Sequence, residues 1–407
     1  MKPVDSSIRL AITGLGIVAS IGRNQEEVWR AISESRAGIR KLSRFPGESF
    51  PTDLAAEVEF DLSLLPGKSR AELRRLSRTD LLALVAATEA VNQAFPGNES
   101  APLATVVASG SSTGGLVEGE EYFFRRLVHG GRRTAPSSVL QQPTSGPSDA
   151  IACHLGLQGG VVSNATACAS AGAAIGMAGD LLRSGHADAA LAGGSDALCR
   201  LTYSGFNVLQ AVDARPCRPF SASRQGITLG EGAAYLVLER WDDAMARGAN
   251  ILAELGGYGA SCDAYHLTAP AEDGRGASAA MSAALRESEV SPADVAYINA
   301  HGTGTQLNDS AESKAIAATL GAGVPTSSTK SYFGHTLGAS GALEAVVTVL
   351  ALRNQLAPPT LRLDAPGEDC VLDYIPDTPR PLAMKTALSN TFGFGGSNVS
   401  LLFRAVR

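Results

Sequence analysis

Cys168 stands in the run Ser163-Asn164-Ala165-Thr166-Ala167-Cys168-Ala169-Ser170-Ala171-Gly172, where an apolar strand pattern turns into a helix pattern rich in alanine and glycine. That places the thiol at or near a helix N-terminus, where unpaired backbone N–H groups and the positive end of the dipole favour thiolate over thiol. The competing reading is a buried structural cysteine, the usual fate of a free thiol. The other five, Cys153, Cys199, Cys217, Cys262 and Cys370, are read that way. Two of the six histidines lie in glycine-rich segments, Asn299-Ala300-His301-Gly302-Thr303-Gly304-Thr305 and Lys330-Ser331-Tyr332-Phe333-Gly334-His335-Thr336-Leu337-Gly338. Glycines there permit close approach of backbone to a ligand, and neither histidine sits on an apolar face. A zinc site would want further ligands at short spacing, and none accompanies them.

Glu312 and Lys330 fall between the histidines, and a charge pair of this kind fixes a tautomer or keeps a proton network in register. Asp309 and Lys314 are read as solvated surface groups. The tail Ser389-Asn390-Thr391-Phe392-Gly393-Phe394-Gly395-Gly396-Ser397-Asn398 is a glycine turn between two strands, able to aim N–H groups at a developing oxyanion. Gly14-Leu15-Gly16-Ile17-Val18-Ala19 fits the dinucleotide fingerprint G-x-G-x-x-A, but Ser20 to Asn24 intervene before any helix and no acidic residue follows at the right distance. It is read as a structural glycine turn.

The elements that must carry these residues alternate. Strands are expected near 10–18, 104–109, 161–165, 187–192 and 234–239, with helices at 25–36, 71–94 and 169–184. A second series follows, with strands near 251–258, 295–300, 386–390 and 398–404 and helices near 276–288, 309–320 and 338–353. The order implies two similar α/β halves, 1–255 with the cysteine and 256–407 with the histidines, whose apolar strands are covered by helices on both faces. The reactive segments fall at strand ends, where ligand sites of α/β sheets gather. Residues 110–148 and 200–230 read as long connections that shape a pocket or an interface.

Composition agrees. The chain has 407 residues, 44% hydrophobic and 18% charged, with 44 glycines. Its formal charge of −6 argues against broad nucleic-acid binding. The six cysteines are scattered, without a C-x-x-C pair, which favours a reducing compartment, the cytoplasm. The apolar run at 9–19 is broken by glycines and lacks a cleavage site, and nothing is long enough to span a membrane.

Taken in order, the cysteine elbow, H-G-T-x-T, K-x-x-x-G-H and the G-F-G-G-S-N tail make the chain resemble the β-ketoacyl-acyl carrier protein synthases, the elongating type II enzymes of the thiolase-like fold. The resemblance runs over nearly the whole length and implies a five-layered α-β-α-β-α core. It implies that Cys168 accepts an acyl chain as a thioester. His301 and His335 then promote decarboxylation of malonyl-carrier protein, and backbone N–H groups of Cys168 and Phe394 form the oxyanion hole. It makes Phe394 a gate with Gly393 as hinge beside Phe392, Lys330 and Glu312 a supporting pair, and Thr303 and Thr305 the hydroxyls that hold phosphopantetheine, which arrives on the carrier with no other cofactor bound. Asn299, Glu344 and Asn390 match positions that hold a monovalent cation in relatives; no metal is required for the chemistry.

Departures are informative. H-G-T-S-T reads H-G-T-G-T, and G-I-G-G-L reads Ser112-Thr113-Gly114-Gly115-Leu116, which puts Thr113 in the expected wall of the acyl pocket and implies a changed chain length or polarity. Arg70, Arg74, Arg75 and Arg78 recur near helical spacing and Arg132-Arg133 add charge. They are either a solvated face or, as the resemblance favours for Arg74, Arg75, Arg132 and Arg133, a dock for an acidic carrier protein. A ketosynthase dimer is expected, a homodimer first and a heterodimer with a chain-length factor as the alternative. Competing readings are that the chain is itself a chain-length factor, which Cys168 opposes, or a coenzyme A-dependent thiolase, which the histidine pair opposes.

Overall fold

A computed structural model describes residues 5, 7–47, 50–65, 69–97, 101–102, 104–130 and 136–406. The first half runs β1 (Leu10–Ala19), α1 (Gln25–Ser33), α2 (Arg78–Ala94), β2 (Val106–Gly110), α3 (Leu116–His129), α4 (Gly146–Leu155), β3 (Val161–Asn164), α5 (Ser170–Arg183), β4 (Ala189–Asp196), α6 (Arg200–Val208) and β5 (Gly232–Arg240). The second runs β6 (Ala253–Cys262), α7 (Arg275–Ser288), β7 (Tyr297–Asn299), α8 (Gln306–Leu320), β8 (Pro325–Ser327), α9 (Ser340–Asn354), β9 (Asp373–Tyr374), β10 (Thr386–Gly393) and β11 (Ser397–Ala405). The strands order as β9-β8-β7-β10-β11-β6-β1-β5-β4-β2-β3. Read outward from the β1/β6 junction, β1-β5-β4-β2-β3 and β6-β11-β10-β7-β8 are the same arrangement twice. The halves meet where Leu10 to Ile12 pair antiparallel with Leu255 to Ala253, so the seam expected at 255/256 falls inside β6.

The alternation within single strands shows the layers. In β5, Ala234, Leu236 and Leu238 join the core that contains Ala174, Ile175 and Leu182 of α5 and Val346 and Leu350 of α9. Ala233, Tyr235 and Val237 of the same strand face the opposite core, with Leu82, Ala86 and Ala90 of α2 and Ile151 of α4. A third core joins Met281 and Leu285 of α7 and Ile316 of α8 to Leu388 and Leu402. Helices α5 and α9 are therefore the central layer between the two halves of the sheet, with α2 and α4 outside one half and α7 and α8 outside the other. This is the five-layered thiolase-like fold. The apolar residues of α9 run all round it because both sides are protein, and Ser340 to Leu352 are all buried.

The glycines of the apparent dinucleotide motif lie in the middle of β1, not in a turn. A Cβ on Gly14 would stand 2.1 Å from the Ala90 carbonyl oxygen, and one on Gly16 would stand 1.8 Å from that of Ala86. They are bare so that α2 can lie directly on the strand. The helix expected over 71–94 is broken: Arg70–Leu73 is a separate turn, and Ser77 opens α2 with a capping box closed by Asp80. The supposed connections 110–148 and 200–230 contain α3, α4's start and α6. The flanking glycines and prolines hid those helices, because Gly115, Gly130 and Gly146 mark helix ends there and do not interrupt them. Among the described residues no helix is long and apolar enough to cross a membrane.

Candidate active site

Strand β3 ends at Asn164, and the chain reverses through a single 3-10 turn, Ala167–Ala169, before α5 begins. Ala167 takes a positive φ of 49°, a strained conformation for a residue with a Cβ, and it turns Cys168 into the space between the halves. The elbow is tied down by Ser170, whose hydroxyl donates to the Ala167 carbonyl at 2.6 Å and accepts the Thr166 N–H at 2.9 Å. The backbone N–H groups of Phe394 and of Cys168 itself are directed at the sulfur and favour its anion. Burial outweighs them and pushes the thiol up to about 12. The thiolate expected from the helix terminus alone is thus corrected: a dipole contributes up to ~2 kcal/mol, whereas full desolvation moves a pKa by ~3–5 units. The resting nucleophile is a thiol.

The second half supplies the histidines. His301 follows β7, and His335 follows the short helix Lys330–Phe333. Their rings approach edge to face with centroids 5.4 Å apart, and both line the cavity that holds Cys168. The Nδ1 of His301 lies 3.0 Å from Lys330 Nζ, which can only donate. The Nδ1 of His335 accepts the Leu337 backbone N–H at 3.1 Å. Each Nδ1 is therefore an acceptor, so each ring carries its proton on Nε2. Burial, and then the Lys330 charge, hold both imidazoles well below the usual histidine range, so they are neutral N–H donors.

Lys330 forms its ion pair with Glu344 of α9, both side chains fully buried. This corrects the expected Lys330/Glu312 pair. Glu312 instead accepts the N–H groups of His301 and Gly302, each at 2.8 Å, and so holds the histidine's backbone. Burial raises it to about 7. Asp309 is also corrected, since it is buried and not a surface group. It accepts N–H groups from Thr303 at 3.0 Å, Gly304 at 3.2 Å and Phe220 at 2.7 Å, which shapes the H-G-T-G-T loop. Lys314 is exposed as expected, donating to the Glu272 carbonyl.

The cation trio does not converge. Asn299 donates to the Glu344 carbonyl and pairs in register with Ser389, whereas Asn390, the next residue along β10, faces the other side toward Glu312 and Met281. With Glu344 occupied by Lys330 and the Asn390 side-chain Oδ1 by the Ser400 hydroxyl, these three do not fit a shared ion.

The cavity, of about 360 Å³, is lined by Cys168, both histidines, Thr303, Thr305, Phe392, Gly393 and Phe394. The two threonine hydroxyls are 2.9 Å apart near its mouth, and Thr305 also caps α8. A Cβ on Gly393 would press on the Thr166 carbonyl at 2.9 Å and the Cys168 nitrogen at 3.1 Å, so this position passes close behind the elbow. Phe394 is 37% exposed and leans on Phe206 of α6, centroids 5.7 Å apart, beside Gly395 and Gly396 with φ of 82° and 78°. Thr113 is not among the residues lining this cavity. Its hydroxyl and N–H both donate to buried Asp196, at 2.8 and 2.9 Å. Of the arginines, Arg78 is an ion-pair partner of buried Glu231, Arg74 and Arg75 are exposed, and Arg132 and Arg133 lie outside the described residues. Sequence reading missed Asp196 and Phe206, because nothing local distinguishes an aspartate ending a strand or a phenylalanine on a helix from their many ordinary counterparts.

A buried thiol under two N–H groups, facing two neutral imidazole donors across a pseudo-symmetric α/β fold, defines a thiol-dependent acyl-condensing site. Family models agree: residues 8–244 match the N-terminal domain and residues 252–364 the C-terminal domain of beta-ketoacyl synthase. The chain belongs to the beta-ketoacyl synthase family. It is 39% identical to 3-oxoacyl-[acyl-carrier-protein] synthase 2 of Synechocystis sp., over 97% of this chain and 98% of that one. It is 38% identical to nodulation protein E of Rhizobium meliloti, over 98% and 99%. Among solved structures, the ishigamide ketosynthase/chain length factor superposes with a TM-score of 0.94 at 33% identity, covering 98% of this chain and 100% of that one. A type II polyketide ketosynthase solved with its acyl-carrier protein, bound to the hexaketide, gives 0.88 at 32% identity, over 98% and 100%.

Proposed function

We propose that this protein performs the decarboxylative condensation of an acyl chain held on Cys168 with malonyl-acyl carrier protein, giving 3-oxoacyl-acyl carrier protein in fatty-acid or polyketide elongation. The observation that carries this is the pair of imidazoles whose Nδ1 atoms are both occupied as acceptors, leaving two Nε2–H groups in the Cys168 cavity. In the first step the acyl thioester passes from the carrier's phosphopantetheine to Cys168. The thiol proton leaves with the pantetheine sulfur, so no net charge is created and a thiol pushed up to about 12 is a usable starting state. The tetrahedral oxyanion lies in the N–H groups of Cys168 and Phe394.

Malonyl-carrier protein then enters, with Thr303 and Thr305 at its arm. Loss of CO₂ puts negative charge on the thioester oxygen, where two neutral donors stabilise it without being consumed. The enolate carbon attacks the Cys168 thioester, the 3-oxo product departs, and the cysteine sulfur regains a proton from solvent. A chain-length factor without its own nucleophile does not account for Cys168, and a thiolase does not need the second histidine donor. Incubating the protein with acyl- and malonyl-carrier protein and detecting CO₂ and 3-oxoacyl product tests the proposal. Formation of 3-oxoacyl product that survives in Cys168→Ala would reject it.

The carrier protein is the proposed partner, docking on Arg74 and Arg75 with Arg132 and Arg133. A second ketosynthase-like chain, by preference an identical one, pairs along β3, which ends the sheet with Val161 exposed. A cytoplasmic location is supported by six cysteines that are all free.

A further inference from the structure

Asp196 closes β4 with its side chain completely buried between the two halves. Its Oδ1 accepts the Ser111 hydroxyl at 2.7 Å, the Ser112 N–H at 3.0 Å and the Thr113 N–H at 2.9 Å, besides the Thr113 hydroxyl at 2.8 Å. Its Oδ2 shares the Ser112 N–H at 3.0 Å and accepts the Gly338 N–H at 2.6 Å. Two chains of contact leave this one carboxylate. Through Ser112, whose hydroxyl donates to the Ala167 carbonyl at 2.9 Å, it reaches the strained turn that aims Cys168. Through Gly338 it pins the next residue along from Leu337, whose N–H holds Nδ1 of His335. Leu337 itself has a positive φ of 54°, and a Cβ on Gly338 would stand 2.6 Å from Ser112 Oγ and 2.8 Å from Asp196 Oδ2, so the two chains touch.

We propose that Asp196 is a positioning residue that sets the nucleophile elbow and the His335 tautomer together, so that acyl loading and malonyl decarboxylation depend on one carboxylate that touches neither substrate. The proposal rests on the condensing function above, and wild-type turnover in the same assays tests that function separately. A carboxylate accepts from all five donor groups at once, whereas an amide of the same shape turns an NH₂ toward one cluster of them; because both oxygens share the Ser112 N–H and Gly338 lies against Ser112, displacing either cluster moves the other.

The test is Asp196→Asn, with acyl transfer to Cys168 followed by protein mass and decarboxylation followed by CO₂ release from malonyl-carrier protein. Expected is a fall of about 30-fold or more in the maximal rate of both half-reactions, with KM for each carrier substrate within about threefold of wild type. Maximal rates within about threefold of wild type, or loss confined to one half-reaction, would overturn the proposal. Should Asp196→Asn not fold, Ser112→Ala decides. It cuts only the branch to Ala167, so loading slows by about fivefold or more while decarboxylation stays at the wild-type rate. Equal effects on both, or none on loading, would overturn the proposal.

Discussion

At Cys168 two opposing effects of known size meet, and the larger sets the chemistry. Burial raises the thiol to about 12 while the Phe394 and Cys168 N–H groups and the Lys330 charge lower it. In the free protein the thiolate fraction therefore grows about tenfold per pH unit, and iodoacetamide labelling of Cys168 should rise with unit slope from pH 7 to pH 9 without a plateau. A plateau below pH 8 would show that the helix terminus wins. The histidines have no such dependence. Held well below the usual range, they stay neutral as pH falls through 6, so decarboxylation should not lose a donor to protonation there. Replacing either histidine by alanine should cost about 10²–10³ in decarboxylation rate, the value of one preorganised donor, which a CO₂ assay reads directly. For Lys330→Met the dominant effect is the stranded Glu344 carboxylate. Stability should drop by about 3–5 kcal/mol in urea melts, and Glu344→Gln added to it should restore much of that without restoring activity.

Whole elements are placed by small residues at close contacts. Helix α2 lies on β1 because Gly14 and Gly16 offer no Cβ to the Ala90 and Ala86 carbonyl oxygens. Gly16→Val should therefore lift the helix from the sheet and cost about 3 kcal/mol or more, measured as a lowered midpoint in thermal or urea unfolding. The central helices follow the same rule, since a Cβ on Gly341 of α9 would meet the Gly172 nitrogen of α5 at 2.8 Å. That contact brings the helix behind Cys168 against the one that follows His335. The elbow and the histidine turn are thus set by two buried helices that cannot move independently.

For the molecule as a whole, the proposed partners would meet the chain at the edge of β3 and at the arginine face. The proposed pairing of an identical chain at β3 would give a dimer of two 41.8 kDa chains, and Val161→Lys should then shift light scattering toward monomer by placing like charges across the pairing edge. On the arginine face, Arg74→Glu with Arg75→Glu should raise KM for carrier-protein substrates by about tenfold and leave the maximal rate unchanged, because charges at a rim steer encounter more than they alter chemistry. An unchanged KM would remove docking from this face.

The order of reactive segments along the chain was enough to determine the thiol, the two imidazoles, the oxyanion turn and the doubled α/β architecture. Each of these is a local pattern: a strand that becomes a helix, a histidine among glycines, a glycine turn between strands. Long-range partnership was not legible in the same way. Whether Lys330 meets Glu312 or Glu344, whether Asp309 is dry, and whether Thr113 gives its hydroxyl to Asp196 depend on which elements the fold brings face to face. So does the protonation of Cys168. A helix terminus is visible in sequence, but the depth of the cavity around it exists only once α5, α9 and the loops of both halves close over it, and desolvation scales with that depth.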